Sequence, residues 1–288
     1  MQVDEYNNFS TLFIRYKQAL KRLEDLGVSI PGASRLRKYE SRLQQSLNDP
    51  RPALESKLVF ALAFDLREID EIIEIVDHLP YSPEVPLLNL LHQLPEGGNE
   101  PDQSQSTAPR DAQYELFLGT ILRRVGVSVI HGAPDLVATW NGQLYFLEAK
   151  RPSSKKRVDD RLRAAVHQMR RLPKPGLIAL SLDQVIRPHR TILAAHDLSH
   201  VAPKIEQLIV DYELQTAAMW QSRLEGEPVD ALLLTARVPA RLISTGHLVL
   251  GTAIRIEILT RSTEGDDSVS FCKWVAKTYL QPQGIKAH

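Results

Sequence analysis

APDLVATWNGQLYFLEAK, residues 133–150, reads as two short strands joined by a tight turn. Asn141-Gly142 suits a two-residue type I′ loop, because both central positions of that turn need φ > 0. With Trp140 set opposite Gln143, the same register carried outward brings Asp135 opposite Glu148. Facing residues in such a ribbon have Cβ atoms about 4.5–5.5 Å apart, and two like charges at that spacing repel. The two-residue period of a strand also places Leu144, Phe146, Glu148 and Lys150 on one face. Asp135, Glu148 and Lys150 therefore converge at the open end of an otherwise apolar hairpin. Opposed carboxylates suit a hard divalent cation, since magnesium is commonly bound by one or two carboxylates with water and phosphate.

Before the hairpin, the spacing predicts helices over 10–27, 34–47 and about 52–79, the last with charged residues filling the gaps between apolar ones. Pro80, Pro83 and Pro86 then interrupt the pattern and leave a short apolar piece at Leu87–Leu91. PEGGNEPDQSQSTAP, 95–109, has the composition of a linker. This divides the chain into a helical N-terminal accessory region (1–94), a linker (95–109) and a second domain (110–288). In that domain a helix over 111–125 and a short strand at 127–130 precede the hairpin. A basic helix over 158–172, a buried strand at 177–182, a helix over 202–223 and strands at 231–238 and 252–259 follow it. That order predicts a mixed α/β domain.

The 288 residues are 43% hydrophobic and 24% charged, ordinary for a globular chain able to bury a core. A single cysteine, Cys272, excludes an internal disulfide framework and points to a reducing compartment. No apolar run reaches the length of a membrane span, and the first residues lack the order of a secretory signal. A cytoplasmic protein with no membrane partner is expected. Zero net charge conceals −6 over residues 1–109 and +6 over 110–288. Between Lys150 and Lys174, ten Lys/Arg stand against two Asp, a basic excess suited to a polyanion. There is no HExxH or other metal-ligand histidine spacing, no GxGxxG, no GxxxxGK[ST] and no GxSxG. Zinc hydrolysis, dinucleotide binding, intrinsic NTPase activity and a serine nucleophile elbow all lack their signatures.

Pro134-Asp135 and Glu148-Ala149-Lys150, followed by Arg151-Pro152, resemble the PD-(D/E)xK nuclease superfamily. Glu115 in QYELFLG matches the acidic residue this family carries on the preceding helix. Gln168 in AAVHQMRRL matches its glutamine on the following helix. The resemblance spans about Asp111–Leu182. It implies a restriction-endonuclease-like core, a central mixed β-sheet flanked by helices, and magnesium-dependent hydrolysis of phosphodiesters with manganese as a substitute. It further implies Asp135, Glu148, the Ala149 carbonyl and Glu115 around the metal, Lys150 at the attacking water, and Gln168 in support. Leu172 stands where exonuclease members have tyrosine, which favours an endonuclease over an exonuclease. Lys155, Lys156, Arg161, Arg163 and Arg171 are the candidates for backbone phosphates. The expected partner is nucleic acid, DNA in the first instance, in restriction, defence or repair. Double-strand cleavage would make a homodimer useful, and the N-terminal helices leave room for a protein partner. The alternative is a non-catalytic nucleic-acid-binding or protein-interaction module retaining the nuclease fold.

Overall fold

A computed structural model describes residues 2–5, 9–48, 57–98, 107–186, 192–259 and 267–280. Strand β1 (Gln2–Glu5) precedes helices α1 (Phe9–Asp25), α2 (Arg35–Asn48), α3 (Lys57–Asp77) and α4 (Val85–Gln93). Helix α5 (Ala108–Arg124) leads into β2 (Ser128–His131) and the hairpin of β3 (Leu136–Trp140) and β4 (Gln143–Lys150). Next come α6 (Val158–Met169), β5 (Gly176–Ser181), the one-turn α7 (Asp183–Ile186) and β6 (Leu193–Ala195). The described chain continues with α8 (Val201–Leu224), β7 (Val229–Leu242), β8 (Leu248–Ile258) and α9 (Asp267–Tyr279).

The strands form one eight-stranded sheet in the order β1-β8-β7-β5-β4-β3-β2, with β6 also pairing β7. Pairs β4–β5, β5–β7 and β6–β7 are parallel and the others antiparallel, so the sheet is mixed. Strand β5 is buried along its whole length, which is why Leu177–Leu182 reads as an apolar run without alternation. One buried cluster joins α1–α5 and α9 to Leu136, Ala138, Tyr145 and Leu147 on one side of the sheet. A second joins α6 and α8 to Ile178, Leu180, Leu232 and Leu234 on the other. The chain is thus an α/β fold with a central mixed sheet flanked by helices.

The differences from the expected elements have physical causes. Residues 85–93 form α4 although Pro86 lies among them, because a proline in the first helical turn gives up an N–H that has no partner there. The basic helix stops at Met169, short of 172. Helix α9 supplies Phe271, stacked on Tyr145 at 4.3 Å between ring centroids, and Trp274, 5.3 Å from Trp140. The hairpin's aromatic residues are therefore packing partners of this helix. Residues 52–56 of the third expected helix, and 99–106 of the expected linker, lie outside the described residues. Helix α5 begins at Ala108, inside the expected linker.

Most of the charges that fill the gaps of helix α3 are turned inward. From Leu62 to Val76 every residue but Glu74 is buried, charged ones included. The gaps between its apolar residues face arginines rather than water.

Candidate active site

The hairpin has the expected register. Trp140 pairs with Gln143 and Leu136 with Leu147, while Asn141 and Gly142 have φ of 50° and 75°, as the type I′ turn requires. One step beyond β3, Asp135 Oδ2 accepts hydrogen bonds from the Ala149 amide at 2.9 Å and from Lys150 Nζ at 3.0 Å. Lys150 Nζ also donates to Glu148 Oε2 at 2.6 Å. The ammonium thus holds both carboxylates at once. Exposure is graded across the group, from a side chain 21% exposed at Asp135 through 10% at Lys150 to 1% at Glu148. Asp135 forms the mouth and Glu148 the floor. Glu148 and Lys150 sit beside Ile178 and Leu180 of β5, both members of the core that contains α6.

The electrostatics follow from this burial. Desolvation first, and then repulsion from Asp135, push the Glu148 carboxyl up to about 7 despite the ammonium. At Lys150 burial opposes the charge, but Asp135 and Glu148 outweigh it and its pKa rises. One ammonium does not fully offset two carboxylates in this setting.

Glu115 reaches the group from α5. Its carboxyl is pushed up to about 9, by burial first and Asp135 second, with Lys150 opposing. Its Oε1 lies 3.1 Å from His131 Nδ1. Burial and the nearby Arg123 push that imidazole down to about 3. At neutral pH the two therefore form a neutral pair with the proton on the carboxyl.

The other expected residues are placed less centrally. Gln168 is half-buried on α6, and its side chain makes no hydrogen bond to Asp135, Glu148 or Lys150. Lys155 and Lys156 are exposed in the turn before α6, with Lys155 3.4 Å from Gln215. Arg161 is tied to Thr107 and Asp111, Arg163 to Asp159, and Arg171 to His167. Arg170 pairs with Glu227, while Lys150 and Arg151 are buried. Much of the basic excess in 150–174 is thus neutralised within the fold or hidden from solvent.

A buried ionic cluster stands directly behind the site, where the first hundred residues carried no functional signal. Arg151 donates to both oxygens of Glu71 on α3, at 2.9 and 3.0 Å, and to Asp183 at 2.9 Å. Gln113 donates to the same Glu71 at 2.5 Å. Arg237 of β7 pairs with Asp70, and its amide donates to Asp183 at 2.7 Å. Glu68 meets Arg35 at 3.1 Å, Arg67 at 2.8 Å and Arg110 at 3.0 Å. Burial would raise the Glu68 carboxyl, but Arg110, Arg151, Arg67 and Arg35 together hold it well below the usual range. The signal available in sequence was three carboxylates within four residues, Glu68, Asp70 and Glu71, of a helix whose other charges are scattered singly among apolar residues. Apart from Arg67, their partners lie 33 to 167 residues away and could not be paired with them by local spacing.

Among the described residues, no three His, Cys, Asp or Glu side chains are grouped so as to hold a metal ion. The donors that face one another are the two carboxylates of Asp135 and Glu148. That set fits magnesium, a hard cation that keeps several waters and needs only one or two carboxylates. It does not fit zinc, which prefers nitrogen and sulfur ligands. No helix among the described residues is long and apolar enough to cross a membrane. No family model, curated protein or solved structure matches this chain.

Proposed function

We propose that this protein is a divalent-cation-dependent nuclease of the PD-(D/E)xK type, with DNA as its first-choice substrate. One observation carries the reading: Asp135 and Glu148 both engage the ammonium of Lys150 at the end of the hairpin, at 3.0 and 2.6 Å. The mixed sheet with helices on both faces supports a restriction-endonuclease-like core. Glu115, brought to the same locus from α5, adds a third element of the resemblance.

Magnesium held by Asp135, Glu148 and the Ala149 carbonyl would supply Lewis acidity toward a phosphoryl oxygen and would acidify a water. Asp135, at the mouth, is the carboxylate nearest an arriving phosphate. Glu148 is fixed behind it by the pairing of Leu147–Lys150 with Leu177–Leu180 of β5. Lys150 holds a proton at Nζ in a desolvated setting, where it can orient a water and offset charge developing on the phosphoryl group. Glu115 can hold or accept a proton at its carboxyl beside His131. Arg151 does not reach the substrate. It anchors the end of β4 to α3 and so positions Lys150.

The test is cleavage of supercoiled plasmid and of single-stranded DNA with Mg²⁺, with Mn²⁺ and with EDTA. The expected result is metal-dependent cutting that falls by about 10²–10³ in Lys150→Ala and Asp135→Asn. Cutting that survives both substitutions would place the chemistry elsewhere.

A further inference from the structure

His131 bonds Glu115 through Nδ1 and also lines a separate cavity of about 300 Å³. The cavity lies between the segment leading into α4, the C-terminal part of α5 and strand β2. Leu87, Val127 and Val129 give it an apolar wall, and Ser82, Ser128, Glu84 and Arg123 supply polar groups. Such a mixture suits a small ligand that has both a flat apolar part and a charged part.

Two of the polar groups lack partners. His131 is 4% exposed, and its Nε2 is buried without a hydrogen bond. The Arg123 guanidinium forms no hydrogen bond or ion pair among the described residues, although burial depresses its basicity and Glu84 only partly opposes this. A guanidinium has five N–H donors, and at this partly exposed position they are open to an incoming acceptor. Glycine 119 allows the two groups to approach. A Cβ there would lie 2.9 Å from His131 Nε2 and 3.5 Å from an Arg123 terminal nitrogen. Glu115, Gly119 and Arg123 follow one another at four-residue spacing, which puts Arg123 about 12 Å along α5 from Glu115. Beside the cavity wall, between Pro80 and Ser82, Tyr81 is 93% exposed, an unused aromatic face at the rim.

We propose that this cavity binds one nucleotide, with its phosphate on Arg123, His131 and the serine hydroxyls and its base against Leu87, Val127 and Val129. The assignment rests on the nuclease reading for its purpose, and it would place one unit of a substrate strand beside the hairpin site. Glu84 is left to accept from a sugar hydroxyl or a base N–H. Tyr81 is free to stack on a neighbouring base, as aromatic side chains do in single-strand binding. A free mononucleotide and a nucleotide within a strand present the same chemistry to the cavity.

Calorimetric titration of the full-length protein in EDTA distinguishes these sources and separates the cavity from the metal chemistry. The probes are thymidine 5′-monophosphate and a short single-stranded oligothymidylate. In Arg123→Gln, binding of one or both should weaken by about tenfold, the loss expected for a charge-assisted phosphate contact, with partial recovery in Arg123→Lys. Arg241→Gln, at an exposed cation outside the cavity lining, should bind within about twofold of wild type. Loss of the oligonucleotide alone would assign the cavity to a strand-borne unit, and loss of both to a nucleotide from either source. Wild-type binding in Arg123→Gln, equal losses in Arg241→Gln and Arg123→Gln, or no binding of either probe would overturn the proposal. Arg123-dependent binding in a protein that never cleaves would leave the cavity standing and remove the nuclease reading.

Discussion

Lys150 supplies the positive charge that lets Asp135 and Glu148 face each other, so its removal has a consequence apart from catalysis. In Lys150→Met two largely buried carboxylates are left opposed, and the metal-free protein should lose about 3 kcal/mol in urea unfolding. Mg²⁺ should then raise the melting temperature of the variant more than that of the wild type; an equal rise would argue against a cation seated between these carboxylates. The proton at Glu115 gives a second test. Its folded pKa is raised from 4.5 to about 9, so its contribution to stability is full below 4.5 and is lost as pH rises through 9. Glu148, raised from 4.5 to about 7, acts in the same direction over a narrower range. His131 acts in reverse, because burial lowers it from 6.5 to about 3 and its contribution disappears as pH falls through that window. Metal-free Glu115→Gln should therefore lose less stability than wild type between pH 7 and 9. Urea midpoints at pH 5, 7 and 9 measure this, and parallel curves would contradict it.

At the scale of elements, what was readable in sequence was whatever depends on neighbours along the chain. The hairpin was legible because Asn141-Gly142 fixes the turn and the period of two then fixes every partner from Trp140–Gln143 to Leu136–Leu147. Helix α4 was hidden by Pro86, whose effect reverses between the first turn and the interior of a helix. The three-residue β6 gains its identity only by lying against Ala240–Leu242 of β7. Charge misled most, since counting Lys and Arg over 150–174 cannot reveal that Asp111, Asp159 and Glu227 are waiting for them. Helix α3 illustrates the same limit, because its spacing shows carboxylates filling the gaps between apolar residues and does not show that buried arginines face them. Glu71→Gln would weaken a bidentate pair with Arg151 that lies 1–2% exposed. The expected cost is about 3–5 kcal/mol, as for breaking other buried ion pairs. Glu40→Gln, a comparison on the partly exposed α2 pair with Arg37 at 2.8 Å, should cost under about 1 kcal/mol. Similar urea midpoints for the two would show that α3 does not brace β4.

For the whole molecule, the question is whether residues 107–288 can stand without α1–α4. Apolar contact alone would make their loss expensive, since Leu62, Leu66, Ile69, Ile72 and Ile73 of α3 share a core with Leu116, Phe117 and Leu147. The ionic cluster makes it more so. Five arginines, Arg35, Arg67, Arg110, Arg151 and Arg237, share Glu68, Asp70, Glu71 and Asp183, and none of the nine is more than 9% exposed. Three of those carboxylates lie on α3. Cutting before residue 107 would leave Arg110, Arg151 and Arg237 with Asp183 as their one remaining acid from this set. A guanidinium cannot shed its charge to escape such a site, as a lysine could. Arg151 is bonded next to the residue that bridges the candidate catalytic carboxylates, so relief by moving Arg151 outward would pull the end of β4 with it. The fragment 107–288 is therefore expected to lack a cooperative thermal transition and to bind neither oligonucleotide nor metal as the full chain does. Circular dichroism melting of the fragment beside the full chain decides the matter. A sharp transition near that of the intact protein, with unchanged Mg²⁺ stabilisation, would mean that the cluster is dispensable and that the N-terminal helices serve a separate purpose.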